Sequence, residues 1–212
     1  MLDPEDIELI QRYAGLILIG GNRAQKLLML TGLGGTGKGT LVNLFTAIIG
    51  QKNVDQLRVD QLKQRFKTSR LIGKMLLTVI EAPADFLNQD GAEIVKALVG
   101  HDEMKGERKN VNESLRVQGR YPILVTSNEE LRVRLAGDES AWARRLLNVD
   151  YRRPRPNGSK IIDNFHEVLL REEGPGTLNW MINGAAIHWQ ELQAQKGFGQ
   201  SQQQTKRVEN IL

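Results

Sequence analysis

Gly32, Gly37 and Lys38 stand at the spacing G-x-x-x-x-G-K. They sit inside Leu27-Leu-Met-Leu-Thr-Gly-Leu-Gly-Gly-Thr-Gly-Lys-Gly-Thr-Leu-Val-Asn-Leu-Phe45, where an apolar run ends in glycines and an apolar helical pattern follows. Strand, glycine-rich turn and helix in that order form the Walker A signature, and the chemistry it offers is phosphate binding. The glycines let backbone N–H groups turn inward around phosphate oxygens in conformations that a side chain forbids. Lys38 adds a point charge at the β- and γ-phosphates, and the following helix presents its positive N-terminal end. The nucleotide-binding set is therefore Gly32, Leu33, Gly34, Gly35, Thr36, Gly37, Lys38, Gly39, Thr40 and Leu41. Gly39 stands where Ser or Thr ordinarily gives a hydroxyl to Mg2+. Thr40 comes next and is expected to face the α-phosphate; with Glu81 it is also the candidate pair for Mg2+, reached through water that fills the missing ligand's place.

Three more groups have types and positions suited to phosphoryl chemistry. The run Met75 to Ile80 is apolar and stops on Glu81, a Walker B pattern. In a doubly wound sheet ligands bind beyond the carboxyl ends of the strands, so an acid there either polarises an attacking water or holds Mg2+ through water. Tyr121 to Val125 reads as another buried strand, and Thr126-Ser-Asn128 follows at its end. The Asn128 amide is suited to hold the attacking water and sense the γ-phosphate; its bland alternative is a helix cap. Arg144 and Arg145 precede the last strand, Leu146 to Val149, and either suits an outward finger that neutralises transition-state charge in a neighbouring subunit. Between Asp102 and Arg120 lies a polar, charged stretch whose alternation permits a projecting hairpin. Lys105, Arg108 and Lys109 in it, with Arg116, are candidate contacts to a nucleic-acid phosphate backbone.

The elements that must position these residues follow from periodicity and punctuation. Asp3-Pro4 opens a helix with apolar residues at Ile7, Ile10, Ala14, Ile17 and Leu18, ended by Gly20-Gly21. This helix is expected to lie beside the nucleotide. After the helix that ends near Gly50 come a short strand candidate at Gln56 to Asp60 and a basic helix at Gln61 to Leu71; a helix spans Gly91 to Gly100. Arg152-Arg-Pro-Arg-Pro-Asn-Gly-Ser reads as a linker. Beyond it, helices at Ile162 to Leu170 and Leu178 to Leu192 are expected to be separated by Gly174-Pro-Gly, and the Gln-rich Gly197 to Thr205 to fray. The expected organisation is a helical segment at 1–25, an ATPase core at 26–152 and a helical segment at 153–212.

Bulk properties narrow the class. The chain has 212 residues, 40% of them hydrophobic, enough for one α/β domain with a small appendage. A net charge of +4 permits a nucleic-acid partner. The absence of cysteine excludes disulfides and thiolate-held zinc or iron–sulfur sites, and the three histidines show no ligand spacing. No apolar run reaches membrane-spanning length, so the expected setting is cytoplasmic, without a membrane partner.

Taken together and in order, these residues resemble superfamily 3 helicases, and more narrowly the helicase part of poxvirus and phage-type primase–helicases. The resemblance is carried by Gly32 to Thr40, Leu71-Ile-Gly-Lys74 leading into Val79-Ile-Glu81, Ile94 to Asp102, Thr126-Ser-Asn128, Trp142-Ala-Arg-Arg-Leu146 and Glu173 to Gly184. It implies an α/β, P-loop NTPase fold of AAA+-like type: a three-layer sandwich around a mostly parallel five-stranded sheet, with an N-terminal helix and a small C-terminal helical part. It also implies ATP and Mg2+ at subunit boundaries of a ring, expected to be a hexamer, that translocates on single-stranded DNA and opens forked DNA during replication of a phage, plasmid or related mobile element. For a phage-encoded protein the setting is the host cytoplasm. In such a motor Glu81 is the Walker B acid, Asn128 the sensor, and Arg144 or Arg145 the finger. Lys105 to Lys109 falls where the family carries its pore hairpin. Many relatives carry two adjacent acids in Walker B, whereas Ala82 follows Glu81 here. A primase half usually lies upstream in such proteins, so the resemblance implies a part of a larger replication protein or a primase partner. Two other readings stay open: a phosphotransferase resembling nucleoside monophosphate kinases, suggested by Gly-Lys-Gly-Thr, and a DNA-binding or assembly module that binds nucleotide without strong hydrolysis.

Overall fold

The computed structural model describes residues 2–58, 68–89, 91–107, 114–133, 139–153, 158 and 160–212; for 68, 105–107 and 114–115 it describes the backbone alone. Five parallel strands form the central sheet: β1 (Leu27–Gly32), β2 (Val54–Gln56), β3 (Leu76–Val79), β6 (Ile123–Ser127) and β7 (Leu146–Tyr151), in the order β2-β3-β6-β1-β7. β1 is the organising strand, with Leu27 paired to both Ile123 and Leu146. These strands are apolar nearly throughout because helices cover both faces. Along β1 the side chains alternate between two cores. Leu27 and Met29 join Val95, Leu98 and Trp142 on one face, while Leu28 and Leu30 join Tyr13, Leu16, Phe45 and Met181 on the other. The expected three-layer α/β sandwich is the architecture found.

The α-helices among the described residues are α1 (Pro4–Ile19), α2 (Lys38–Ile49), α3 (Ala92–Gly100), α4 (Glu139–Ala143), α5 (Phe165–Gln193) and α6 (Gln202–Glu209). Between α3 and β6 the chain makes an antiparallel hairpin, β4 (Glu103–Glu107) with β5 (Ser114–Gln118), in which Glu103 opposes Gln118 and Lys105 opposes Arg116. The alternation of the charged stretch does produce a hairpin. Its connecting residues, Arg108 and Lys109 among them, lie outside the described set, as does most of the basic helix expected at Gln61 to Leu71.

Two expectations near the carboxyl end are corrected. The Gly174-Pro-Gly punctuation does not break the helix: α5 is one helix of 29 residues with Pro175 inside it. Pro175 cannot donate to the carbonyl four residues back, but Thr177 Oγ1 bonds the Glu173 carbonyl at 2.9 Å within the same turn. The Gln-rich tail is likewise ordered. Ser201 and Gln204 cap α6 reciprocally, the Ser201 hydroxyl accepting from Gln204 N and the Gln204 amide oxygen accepting from Ser201 N at 3.0 Å.

α1 packs chiefly on α5. The contact is backbone to backbone, because a Cβ on Gly15 would lie 2.0 Å from Ala185 N and one on Gly184 would lie 1.9 Å from the Gln11 carbonyl oxygen. Polar groups then stitch the two ends of the chain together. Arg207 Nη1 donates to both carboxylate oxygens of Asp6 at 2.8 Å, and the Gln204 amide donates to Asp6 and to the Glu5 carbonyl at 3.0 Å. Asp6 is 2% exposed and Arg207 8% exposed, so neither charge has water as a substitute partner. Removing one member of such a buried pair costs about 3–5 kcal/mol.

Candidate functional site

The glycine-rich loop lies between the carboxyl end of β1 and the first turn of α2. Two of its glycines are obligatory for different reasons. Gly32 has φ 126°, and a Cβ there would sit 2.5 Å from the Tyr151 carbonyl oxygen, where β7 passes. Gly37 caps α2 with φ 98°, a left-handed conformation that turns the loop into the helix. Lys38 is the first residue of α2 and is only 5% exposed. Its ammonium folds back under the loop and donates to the Gly32 and Leu33 carbonyls, both at 2.7 Å. Burial pushes the Lys38 ammonium below its ordinary value, and Asp150 at the end of β7 partly restores it. The loop is thus cinched by its own cation, while Gly34, Gly35 and Gly37 are exposed.

Glu81 follows β3 two residues beyond its last paired position and adopts φ 54°, a left-handed backbone rare for a residue with a side chain. Two bonds to β6 hold this turn. Glu81 N donates to Thr126 Oγ1 at 3.0 Å, and Ala82 N donates to the Thr126 carbonyl at 2.7 Å. Ser127 Oγ adds a donor to the Ala82 carbonyl at 2.7 Å. Strain of this kind persists only where the surroundings over-determine it, and it clusters at functional positions. Asn128, the next residue of β6's run, is exposed beside it.

Gly34 to Thr40, Ile80, Glu81, Thr126 and Asn128 line one cleft of about 700 Å3. The spacing of the separate motifs therefore becomes a single place, at the carboxyl ends of β1, β3 and β6. Thr40 and Glu81, the two residues expected near Mg2+, both border it. Another wall was not foreseen: Arg153, Lys160, Ile161, Ile162 and Phe165 come from the segment that leads into α5. Ile161 is 65% exposed and Phe165 41%, an unusual exposure for apolar groups beside a charged loop. The only sequence signal for this wall is Ile161-Ile162 after a polar linker, which periodicity alone reads as the start of an amphipathic helix. α1, expected beside the nucleotide, contributes no residue to this cleft; it packs on the sheet and on α5.

The arginine pair lies elsewhere. Arg144 and Arg145 precede the amino end of β7, whereas the glycine-rich loop meets its carboxyl end, where Gly32 pairs with Tyr151. The two differ in attitude. Arg144 is exposed, and its carbonyl accepts from Lys26 Nζ at 2.7 Å. Arg145 turns inward: Nη1 donates to the Ala141 carbonyl at 2.9 Å, and its guanidinium lies so near Gly100 that a Cβ there would be 2.8 Å from Nη2. Burial lowers the Arg145 pKa, Arg144 lowers it further, and Asp102 opposes the shift. Of the hairpin cations, Lys105 has its backbone in β4, while Arg108 and Lys109 lie outside the described residues. Among the described residues no cluster of three or more His, Cys, Asp or Glu could hold a metal, and no helix is long and apolar enough to cross a membrane.

Comparison with known proteins gives a consistent fold. Solved apo structures of the C-terminal region of NrS-1 match with TM-scores of 0.67, 0.64 and 0.59 at 17%, 16% and 15% identity. They cover 96–99% of this chain, but the chain spans only 44–47% of theirs. At that identity the likeness is one of fold. No curated protein matches the sequence. A family model described as a family of unknown function (DUF5906) matches residues 30–145, a span that runs from Leu30 in β1 through the glycine-rich loop, Glu81, the hairpin and Asn128 to Arg145. That is more than half of the chain, and the chain belongs to this family.

Proposed function

We propose that the chain is an ATP-hydrolysing motor that moves along single-stranded DNA as a ring of identical subunits in the replication of a phage, plasmid or related element. The observation that carries this reading is the meeting of the glycine-rich loop, Glu81 and Asn128 in one cleft at the ends of three parallel strands. Phosphoryl transfer needs little covalent help from a protein, so a site built from a phosphate cradle, one carboxylate and one amide is sufficient for it.

In this reading the loop amides and Lys38 grip the triphosphate. Lys38 exchanges its two carbonyl partners for phosphate oxygens, which accounts for a buried ammonium otherwise held by the loop's own carbonyls and the Thr36 hydroxyl. Glu81 takes the proton side of the attacking water, and Asn128 orients that water. Thr40 and Glu81 would hold Mg2+, with water in the place that Gly39 leaves without a hydroxyl; the metal supplies charge neutralisation on the phosphates. Ile161, Ile162 and Phe165 give the cleft an apolar wall fit for a nucleobase. Arg144, exposed and remote from its own loop, is suited to complete the site of a neighbour, which is the physical reason for expecting a ring. Arg145 is already engaged by its own subunit. Lys105, Arg108 and Lys109 are the hairpin cations for DNA, and forked DNA and a primase domain or protein are the further partners.

The test measures ATP turnover with and without single-stranded DNA, and strand separation on a forked duplex. The expected result is DNA-stimulated turnover that is lost in Lys38→Ala and Glu81→Gln, with nucleotide still bound by Glu81→Gln. Turnover that ignores DNA and requires AMP would support the nucleoside monophosphate kinase alternative instead. Tight nucleotide binding without turnover in the wild type would support the assembly-module alternative.

A further inference from the structure

Beyond the hairpin, the structure assigns a second contact to the strand of DNA: we infer that a cleft at the amino end of the sheet, lined by Arg23, Lys74, His101 and Arg120, takes the phosphodiester backbone of single-stranded DNA. This inference rests on the proposal that the protein works on DNA, and it concerns a cleft to which the sequence reading gave no role, although Lys74 and His101 fall within stretches that carry the resemblance.

The cleft measures about 480 Å3 and is bordered by Gly20, Gly21, Asn22, Arg23, Gly73, Lys74, His101, Gln118, Arg120 and Tyr121. Three permanent cations and a histidine face it, and no Asp or Glu lines it among the described residues. In a chain whose net charge is only +4, that concentration of one sign is local rather than general. Arg23 and Arg120 are both exposed, and no carboxylate among the described residues pairs with either. Elsewhere the chain pairs its exposed arginines readily, as in Arg116 with Glu103 and Arg152 with Asp150. Unpaired arginines that converge on a concave surface are what a phosphate ligand requires.

The walls are built for close approach. A Cβ added to Gly20 or Gly73 would meet nothing within 4 Å, so side-chain-free backbone fronts open space there. The floor is rigid. Asn22 is fully buried and donates to the Lys26 and Tyr121 carbonyls at 2.7 and 3.0 Å, while its own carbonyl contacts His101 Nε2 at 2.8 Å. Lys74 is steadied by a bond from Nζ to the Lys52 carbonyl at 2.6 Å.

Position favours a strand of nucleic acid over a lone anion. Gln118 is the last residue of β5, so the cleft opens at the foot of the hairpin that carries Lys105. A backbone contacted by the hairpin would continue into the cleft. The exposed Gln118 amide offers a hydrogen bond beside the cations, and a single strand can bend into a concavity that a duplex cannot enter. The cleft is at the amino end of β6 and the glycine-rich loop is at the carboxyl end of its neighbour, so the two sites lie about 17–20 Å apart along the strands. Changes at one leave the other's chemistry intact.

The experiment follows a fluorescent oligothymidylate by anisotropy across a salt series with the full chain. The variants are Arg23→Ala/Arg120→Ala, Arg23→Glu alone, and a control of equal charge change, Lys196→Ala/Lys206→Ala. Each phosphate of a single strand that the protein no longer neutralises reduces the log–log salt slope by about 0.7. The double variant should therefore show a slope shallower by about 1.4 and bind roughly tenfold more weakly at moderate salt, with Arg23→Glu falling further and the control unchanged. ATP turnover measured without DNA should match wild type in all. Wild-type binding that the cleft variants leave at full strength and slope overturns this site while leaving the motor reading standing. A loss confined to an oligouridylate probe overturns the choice of DNA. Absence of single-strand binding by the wild type overturns the motor reading first, and this inference with it.

Discussion

Mixing two variants expected to be inactive gives the sharpest test of the arginine finger proposed for Arg144. β7 has six residues between Leu146 and Tyr151, so the foot of that strand is about 20 Å from the glycine-rich loop at its head. No side chain spans that length, and Arg144 therefore cannot serve its own Lys38. An arginine finger is worth 10^3–10^5 in turnover, about 4–7 kcal/mol at 1.36 kcal/mol per decade. Arg144→Ala alone should thus be nearly inactive, and so should Lys38→Ala, which removes the buried ammonium. Combined in equal amounts and allowed to assemble, they should regain activity. A site works when an Arg144→Ala subunit supplies an intact loop and its neighbour is a Lys38→Ala subunit with an intact arginine. In a head-to-tail ring with random placement that happens at roughly a quarter of sites. The assay is steady-state phosphate release against mixing ratio at fixed total protein with saturating single-stranded DNA. Recovery should peak near equal mixing and vanish at both ends. Zero recovery from variants that assemble and bind DNA would refute the shared site. So would an Arg144→Ala protein that turns over at the wild-type rate. Arg145→Ala is the companion control: its guanidinium is spent on the Ala141 carbonyl, so it should lower the melting temperature and leave turnover within a few-fold.

Other outcomes follow from single features. Glu81 holds φ 54°, a conformation that costs a non-glycine residue about 1–2 kcal/mol, so Glu81→Gly should melt roughly 2–8 °C above Glu81→Ala while both lack turnover. Arg207→Ala leaves the Asp6 carboxylate buried without its cation and should cost about 3–5 kcal/mol in denaturant melts. An Asp6→Asn/Arg207→Ala double variant should recover part of that loss, and full additivity would contradict the pairing. His188 is 2% exposed, and burial lowers its pKa from the ordinary 6.5, against the opposing pull of Glu191. The unfolded chain then takes up that proton first, so stability should fall as the pH drops below about 6.5, and His188→Gln should flatten that part of the profile in thermal melts.

The sheet and the cleft were legible because their signals are local. An apolar run that ends on glycines, an apolar run that ends on Glu81 and a third that ends on Thr126-Ser-Asn128 each announce a strand and what lies at its tip. Parallel strands bring their tips to one side, so three separate runs become one site without further information. What stayed hidden depends on contacts between distant residues. Pro175 looks like a break because proline ends helices in isolation, yet α5 continues, anchored on α1 by the Gly15–Gly184 approach, which no local pattern reports. The Gln-rich tail reads as frayed on composition. Ser201 and Gln204 carry the S-x-x-Q capping pattern, so the start of α6 is written there, but its anchor is Asp6 at the other end of the chain. The difference between Arg144 and Arg145 is equally invisible, since it turns on which of two adjacent side chains finds the Ala141 carbonyl. The role of Thr126 in holding Glu81 escapes the sequence because a threonine at a strand end has no distinguishing spacing.

The proline inside α5 has a mechanical consequence. The helix is about 43 Å long at 1.5 Å per residue, and Pro175 deprives it of one rung of its ladder about a third of the way along. Below that rung the rod is clamped to α1; above it, the rod begins at Phe165 on the rim of the cleft. Bending stiffness is least where the rung is missing, so a push on the rim tilts the first ten residues while the clamped remainder stays seated.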